Sequence, residues 1–133
     1  MAVASEIEQK MMREHRIRWS NSTLVQQIID GSKTATAWPI EAGLGVDEYN
    51  TPLHVGLTYT VYDAETQPRC RVRITSVELA RWGDIPARLW REDPAFSGQV
   101  SLEAFIGDHY DYFGQPDDEF EFLAIYFEHI ETL

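Results

Sequence analysis

Lysine occurs only at Lys10 and Lys33, and the second stands in Gly31-Ser32-Lys33-Thr34-Ala35-Thr36, beside two threonine hydroxyls. A lysine there can hold a phosphate or a carbonyl oxygen as a point charge, or act as a base where burial disfavours its charge. The hydroxyl of Thr36 can serve as a nucleophile or as a hydrogen-bond donor. In a regular strand residues 33 and 36 point to opposite faces, so joint action requires a turn near residues 32–34. The plainer account of the same residues is an exposed lysine after a capped helix, followed by β-prone threonines.

Other residues could contribute to a site. Arg69, Arg71 and Arg73 alternate with Cys70, Val72 and Ile74. That period of two puts the arginines on one strand face and the apolar residues on the other. The arginines could line a phosphate groove, or form a solvated face paired with acids elsewhere in the chain. Glu92, just ahead of Asp93-Pro94, is either a pocket acid or a surface charge. Trp38, Trp82 and Trp90 could stack a base, although tryptophan more commonly fills a core. His109 falls on the apolar side of its segment, as a hydrogen-bonded core histidine would. His15, His54, His109 and His129 show no metal-ligand spacing with each other or with Cys70, so no metal is expected. There is no Gly-rich phosphate loop, nucleophile elbow or catalytic-triad spacing, and no cofactor is expected.

The elements that must position these residues follow from periodicity. Glu6 to Arg18 reads as a peripheral N-terminal helix, so residues 1–20 form a helical extension to a domain of residues 21–133. Asn21 or Ser22 caps a second helix with Leu24, Val25, Ile28 and Ile29 on one face, and Gly31 sits where a left-handed cap belongs. Thr34 to Trp38 is a short extended segment, and Pro39 to Pro52 reads as a loop. Leu57–Tyr62 and Pro68–Glu78 are strands joined by a turn at Asp63 to Gln67. A short helix runs from Asp84 or Pro86 through Trp90, and Ser101 caps a longer one. Phe120 to Ile130 is a closing strand whose middle is apolar on both faces, as a central strand would be. The set describes an α+β domain, a small curled sheet or barrel with helices packed around it.

Composition narrows the function. The formal net charge is -11, yet residues 1–91 hold all 11 Lys and Arg with 11 acids, and residues 92–133 hold the other 11 acids. The acidity therefore belongs to the C-terminal third. Binding to duplex DNA or RNA is disfavoured because it needs many phosphate contacts at once, whereas a small or single-stranded ligand is allowed. No apolar run approaches the ~20 residues of a membrane span. The single cysteine rules out an internal disulfide and fits a reducing compartment, so the cytoplasm is the expected location. Composition gives no oligomeric state.

An apolar helix running into Gly31-Ser32-Lys33-Thr34-Ala35-Thr36 resembles the G-x-K-x-x-T signature of the ASCH domain, a relative of the PUA-type RNA-binding barrels. Arg71 to Leu79 resembles that family's strand ending in a V-E-type turn, and Ala87 to Glu92 its acidic stretch after a short helix. Ser101-Leu102 through His109, Tyr112 and Phe113 is similar to its S-L…H-x-x-Y-F helix. The four segments occur in order over residues 22–130. The departure is Arg91-Glu92-Asp93-Pro94, where the family carries an E-G-E-type run. The resemblance implies a PUA-like barrel with a cleft near the signature loop, and partners that are single-stranded RNA or modified nucleosides. Some members are hydrolases of RNA or of the acetyl amide of a modified cytidine. By this resemblance Lys33, Thr36 and Glu92 are the catalytic candidates; from the residues themselves, Gly31, Ser32, Thr34, Arg69, Arg71, Arg73 and Trp38 are the candidates to bind the ligand. A ribonuclease-like or amide-cleaving hydrolase and a non-catalytic RNA-binding module both remain open. A third reading gives the acidic C-terminal third a role in binding proteins.

Overall fold

The computed structural model describes residues 15–19, 21–40 and 53–133. Within them, five strands form one sheet: β1 (Arg16–Arg18), β2 (Ala35–Pro39), β3 (Thr58–Tyr62), β4 (Pro68–Arg81) and β5 (Glu121–Thr132). Their spatial order is β1-β3-β4-β5-β2. The β1–β3 pairing is parallel and the other three are antiparallel. β4 and β5, the longest strands, pair along nearly their whole length, and the register shifts at Arg71/Val72 and Ile74/Ser76. Such irregularities add twist and bend the strand. The result is a curled mixed sheet, a half-barrel.

Among the described residues, three helices cover the sheet: α1 (Ser22–Asp30), α2 (Ala87–Glu92) and α3 (Leu102–His109). α1 begins where Asn21 Oδ1 accepts from the backbone N–H groups of Thr23 and Leu24, which satisfies donors the first turn leaves open. It ends at Gly31, whose φ of 86° is strained for a residue with a Cβ. Val25 and Ile28 of α1 pack on Cys70, Val72, Ile125 and Phe127 at one face of the sheet. Leu89 of α2 and Phe105 of α3 pack on Ala35, Phe122, Ala124 and Tyr126 at the other. Successive residues of β5 thus enter opposite cores, because side chains alternate across a strand. This is the doubly buried strand expected from its apolar middle.

Arg16–Arg18 is a strand paired in register with Thr60–Tyr62, not the end of an N-terminal helix. Three residues are too few for a period to declare itself, and the partner strand lies far away in sequence. The rest of the expected helix, and most of the loop expected over Pro39 to Pro52, lie outside the described residues. Among the described residues, no helix is long and apolar enough to cross a membrane.

Cys70 is fully buried in the first core, and burial pushes its thiol up to about 11, since a thiolate there would lose its hydration. The thiol is therefore expected to resist iodoacetamide in the native protein at pH 8 and to react completely in denaturant. The raised value also sets a sign. The stability gained by burying the neutral thiol is whole below the ordinary thiol range and is lost as pH climbs from there through 11.

Candidate functional site

The site begins where α1 stops. After Gly31 the chain does not enter β2 directly. The N–H of Lys33 donates to the Gln27 carbonyl at 3.0 Å, and the N–H of Thr34 donates to the Glu92 carbonyl at 2.8 Å. The bend supplies the turn that joint action of residues 33 and 36 requires. Lys33 and Thr36 both line a cavity of about 390 Å³, within the usual size range of small-molecule pockets, about 300–1,000 Å³.

Lys33 is only 2% exposed. Its Nζ donates to the Ala35 carbonyl at 2.7 Å and to Asp93 Oδ1 at 2.5 Å. Asp93, 3% exposed, lines the same cavity. A buried ion pair of this kind holds together only when its geometry and extra hydrogen bonds offset the loss of hydration, and the Ala35 carbonyl supplies one such bond. The backbone around Asp93 is tied down on both sides. The Glu92 carbonyl accepts from Thr34 N–H, and the Ala95 carbonyl accepts from Gln27 Nε2 at 2.9 Å.

Glu92 points elsewhere. One carboxylate oxygen accepts from the Thr34 hydroxyl at 2.8 Å and the other from Arg88 Nε at 2.7 Å, and the residue does not line the cavity. The carboxylate beside Lys33 belongs to its neighbour. Glu92 closes α2, so its side chain pairs along the helix with Arg88, four residues back. Pro94 disfavours a helical conformation for the residue before it, and Asp93 adopts φ -124°, ψ 77°. That change of backbone direction turns its carboxylate inward. The Asp-Pro pair was the signal available in the sequence.

The other candidates divide in the same way. Trp38 lines the cavity, and its ring lies 6.0 Å from that of Trp19, which lines it as well. Gly31 shapes the turn, while Ser32 and Thr34 hold it: Ser32 N–H donates to Asp30, and the Thr34 hydroxyl to Glu92. Arg69, Arg71 and Arg73 are not brought to the cavity. They pair with Asp63, Glu131 and Glu128 respectively. Sequence reasoning named Tyr112 only within the helix resemblance and did not offer Trp19, Asp93, Phe96 or Asp108 as site residues, yet all five line the cavity. Phe96 and Tyr112 are half exposed, and Asp108 fixes the Phe96 N–H at 2.9 Å. Burial holds the Tyr112 phenol above its ordinary range. Among the described residues, no group of three or more His, Cys, Asp or Glu converges as a metal ion would require.

No family model matches the chain, and no curated protein matches it in sequence. Solved structures do match it in shape. The ASCH domain from Lactobacillus crispatus has a TM-score of 0.71 at 15% identity, over 97% of this chain and 87% of that one. Protein EF3133 from Enterococcus faecalis has a TM-score of 0.61 at 15% identity, over 96% and 88%. A point mutant of the Zymomonas mobilis ASCH protein has a TM-score of 0.53 at 12% identity, over 90% and 72%. At such identities the likeness is one of architecture. With its curled five-stranded sheet and flanking helices, the chain has the fold of the ASCH domain.

Proposed function

We propose that the chain is a hydrolase of nucleoside-sized amides, acting on an acylated base of the acetylcytidine type. The observation that carries this reading is the convergence of Lys33, Thr36 and Asp93 on one cavity of about 390 Å³ with Trp19, Trp38 and Tyr112 in its walls. The aromatic rings offer a base flat surfaces to lie against. The three polar side chains offer a nucleophile, a base and an acid.

The chemistry balances over these residues. A proton moves from Lys33 Nζ to Asp93 Oδ1 along the bond that joins them, giving a neutral amine and a carboxylic acid. The amine takes the Thr36 hydroxyl proton as the Thr36 oxygen attacks the acyl carbon. Asp93 passes its proton to the leaving nitrogen as the C–N bond breaks. This leaves acylated Thr36, a free amine product and the original ion pair. Water repeats the sequence: its proton goes to Lys33, Asp93 protonates the Thr36 oxygen, and the acid is released.

A second reading, cleavage or binding of single-stranded RNA, rests on the exposed Phe96 and Tyr112 at the cavity mouth. Against it, Arg69, Arg71 and Arg73 are already paired with carboxylates. The experiment is a turnover assay with N4-acetylcytidine beside a short single-stranded RNA. Acetate release from the nucleoside is expected, with Glu92→Gln within about threefold of wild type, since residue 92 lies off the cavity and glutamine keeps an oxygen to accept from the Thr34 hydroxyl. RNA cleavage without acetate release would favour the second reading, and no turnover of either substrate would reject the hydrolase.

A further inference from the structure

Asp93 and His109 meet in a way that the roles above leave unexplained. The His109 ring stacks on Phe105 with centroids 4.1 Å apart, and Phe113 lies at 5.7 Å. Its Nδ1 is 2.8 Å from the Phe105 carbonyl oxygen. A carbonyl oxygen only accepts, so Nδ1 carries the hydrogen, and in the neutral ring Nε2 presents a lone pair. That nitrogen lies 3.6 Å from Asp93 Oδ2, outside hydrogen-bond range. Oδ2 is buried and has no hydrogen-bond partner among the described residues, while Oδ1 is held by Lys33. Asp93 and His109 both line the cavity. The other polar groups nearby do not resolve the pair: Asp108 accepts from Phe96 N–H, and Tyr112 stands edge-on to the His109 ring at 6.3 Å. With the ring neutral, two acceptors converge on one wall, and an unpaired buried acceptor is costly.

We infer that Asp93 Oδ2 and His109 Nε2 form an acceptor pair that selects ligands presenting an N–H group, an amide or an exocyclic amine, at this end of the cavity. The inference deepens the proposed function and rests on it only for the identity of the ligand. An N–H group donating here stands beside the acid assigned to the leaving nitrogen, so selection and protonation meet at one carboxylate. His109 acts as a specificity residue, and its contact with the ligand belongs to the neutral ring.

Histidine-ring nitrogen NMR at pH 8, where free imidazole is neutral, tests the pair once the His109 signals are assigned with His109→Gln. Acetamide is expected to shift the His109 Nε2 signal, and N,N-dimethylacetamide, which has no N–H, to leave it in place. No shift with acetamide, or equal shifts with both, overturns the pair. Cytidine is expected to bind about tenfold or more tightly than its 4-deamino analogue, pyrimidin-2-one riboside, the scale of one buried hydrogen bond. Equal affinities overturn the pair as a selector. The preference is expected to collapse in Asp93→Asn. Because that variant also strips Lys33 of its partner, His109→Phe, which keeps the ring stack and removes Nε2, repeats the comparison. A preference undiminished in His109→Phe removes His109 from the pair. If acetamide shifts His109 while neither nucleoside binds, the acceptor pair holds and the nucleoside reading fails.

Discussion

Lys33→Met is expected to destabilise the protein by about 3–5 kcal/mol, the usual effect of removing one partner of a buried ion pair. Lys33 and Asp93 are 2% and 3% exposed, so neither charge has water to fall back on. Methionine fills much of the space of the lysine stem but leaves the Asp93 carboxylate buried and unpaired. The double replacement Lys33→Met with Asp93→Leu is expected to recover most of the loss, since an apolar pair of similar volume needs no compensating charge. Urea unfolding of the wild type, both single variants and the double variant closes the cycle. A Lys33→Met loss below about 1 kcal/mol would match an exposed pair rather than a buried one. The size of this effect also bears on assays: an inactive Lys33 variant is informative only when its fold has been checked.

Thr36→Val carries the second large effect, and it falls on turnover instead of stability. Thr36 lies in β2, paired with Ile125 of β5, where a β-branched residue of equal size keeps the strand's packing. Turnover of N4-acetylcytidine is expected to fall on the order of 10³-fold or more, because removal of a nucleophile disables every later step. The melting temperature is expected to move by only a few degrees, and KM to change little, since the proposed mechanism has the hydroxyl act on the acyl carbon rather than in ground-state binding. Steady-state kinetics beside a thermal melt reads both. Turnover within tenfold of wild type would remove Thr36 as the nucleophile and leave a water-attack mechanism governed by the Lys33–Asp93 pair.

Legibility in the sequence followed the range of the forces involved. Local chemistry was readable. Asn21 and Gly31 mark the ends of α1, the alternation of Cys70, Val72 and Ile74 marks β4, and the apolar middle of β5 marks a strand with a core on each side. The placement of Lys33 and Thr36 around one turn was readable as a condition, because strand geometry forbids it otherwise. The acid was harder. Glu92 and Asp93 are adjacent carboxylates, and their different fates depend on where α2 ends: Glu92 still belongs to the helix, while Asp93 is turned by the following proline. Long-range pairing left the weakest trace. Arg16–Arg18 joins β3 from across more than 40 residues, and Trp19, whose N–H donates to the Tyr62 carbonyl at the end of that pairing, lines the cavity. His109 read as a core residue from its helical face. Its stacking on Phe105 agrees with that, but its Nε2 faces Asp93, a contact that helix periodicity does not encode.

The fold explains why a small acidic chain can keep one lysine and one aspartate out of water. The cavity lies between α1 and the segment leaving α2, and the β4–β5 ladder fixes the sheet on which β2 presents Thr36. The arginines of β4 hold that ladder from outside through Glu128 and Glu131. The same arrangement keeps cations of the outer sheet face away from the cavity, which suits a ligand recognised by shape and hydrogen bonds more than by phosphate charge.

A crystal structure of the Thr36→Val variant with bound N4-acetylcytidine shows whether residues 33, 36 and 93 receive the acyl group together. The base is expected beside Trp19 and Trp38, with the acyl carbon facing residue 36 and Lys33 Nζ still on Asp93 at the cavity wall. An ammonium of Lys33 in bulk solvent, or a ligand bound away from residues 33, 36 and 93, would contradict this arrangement.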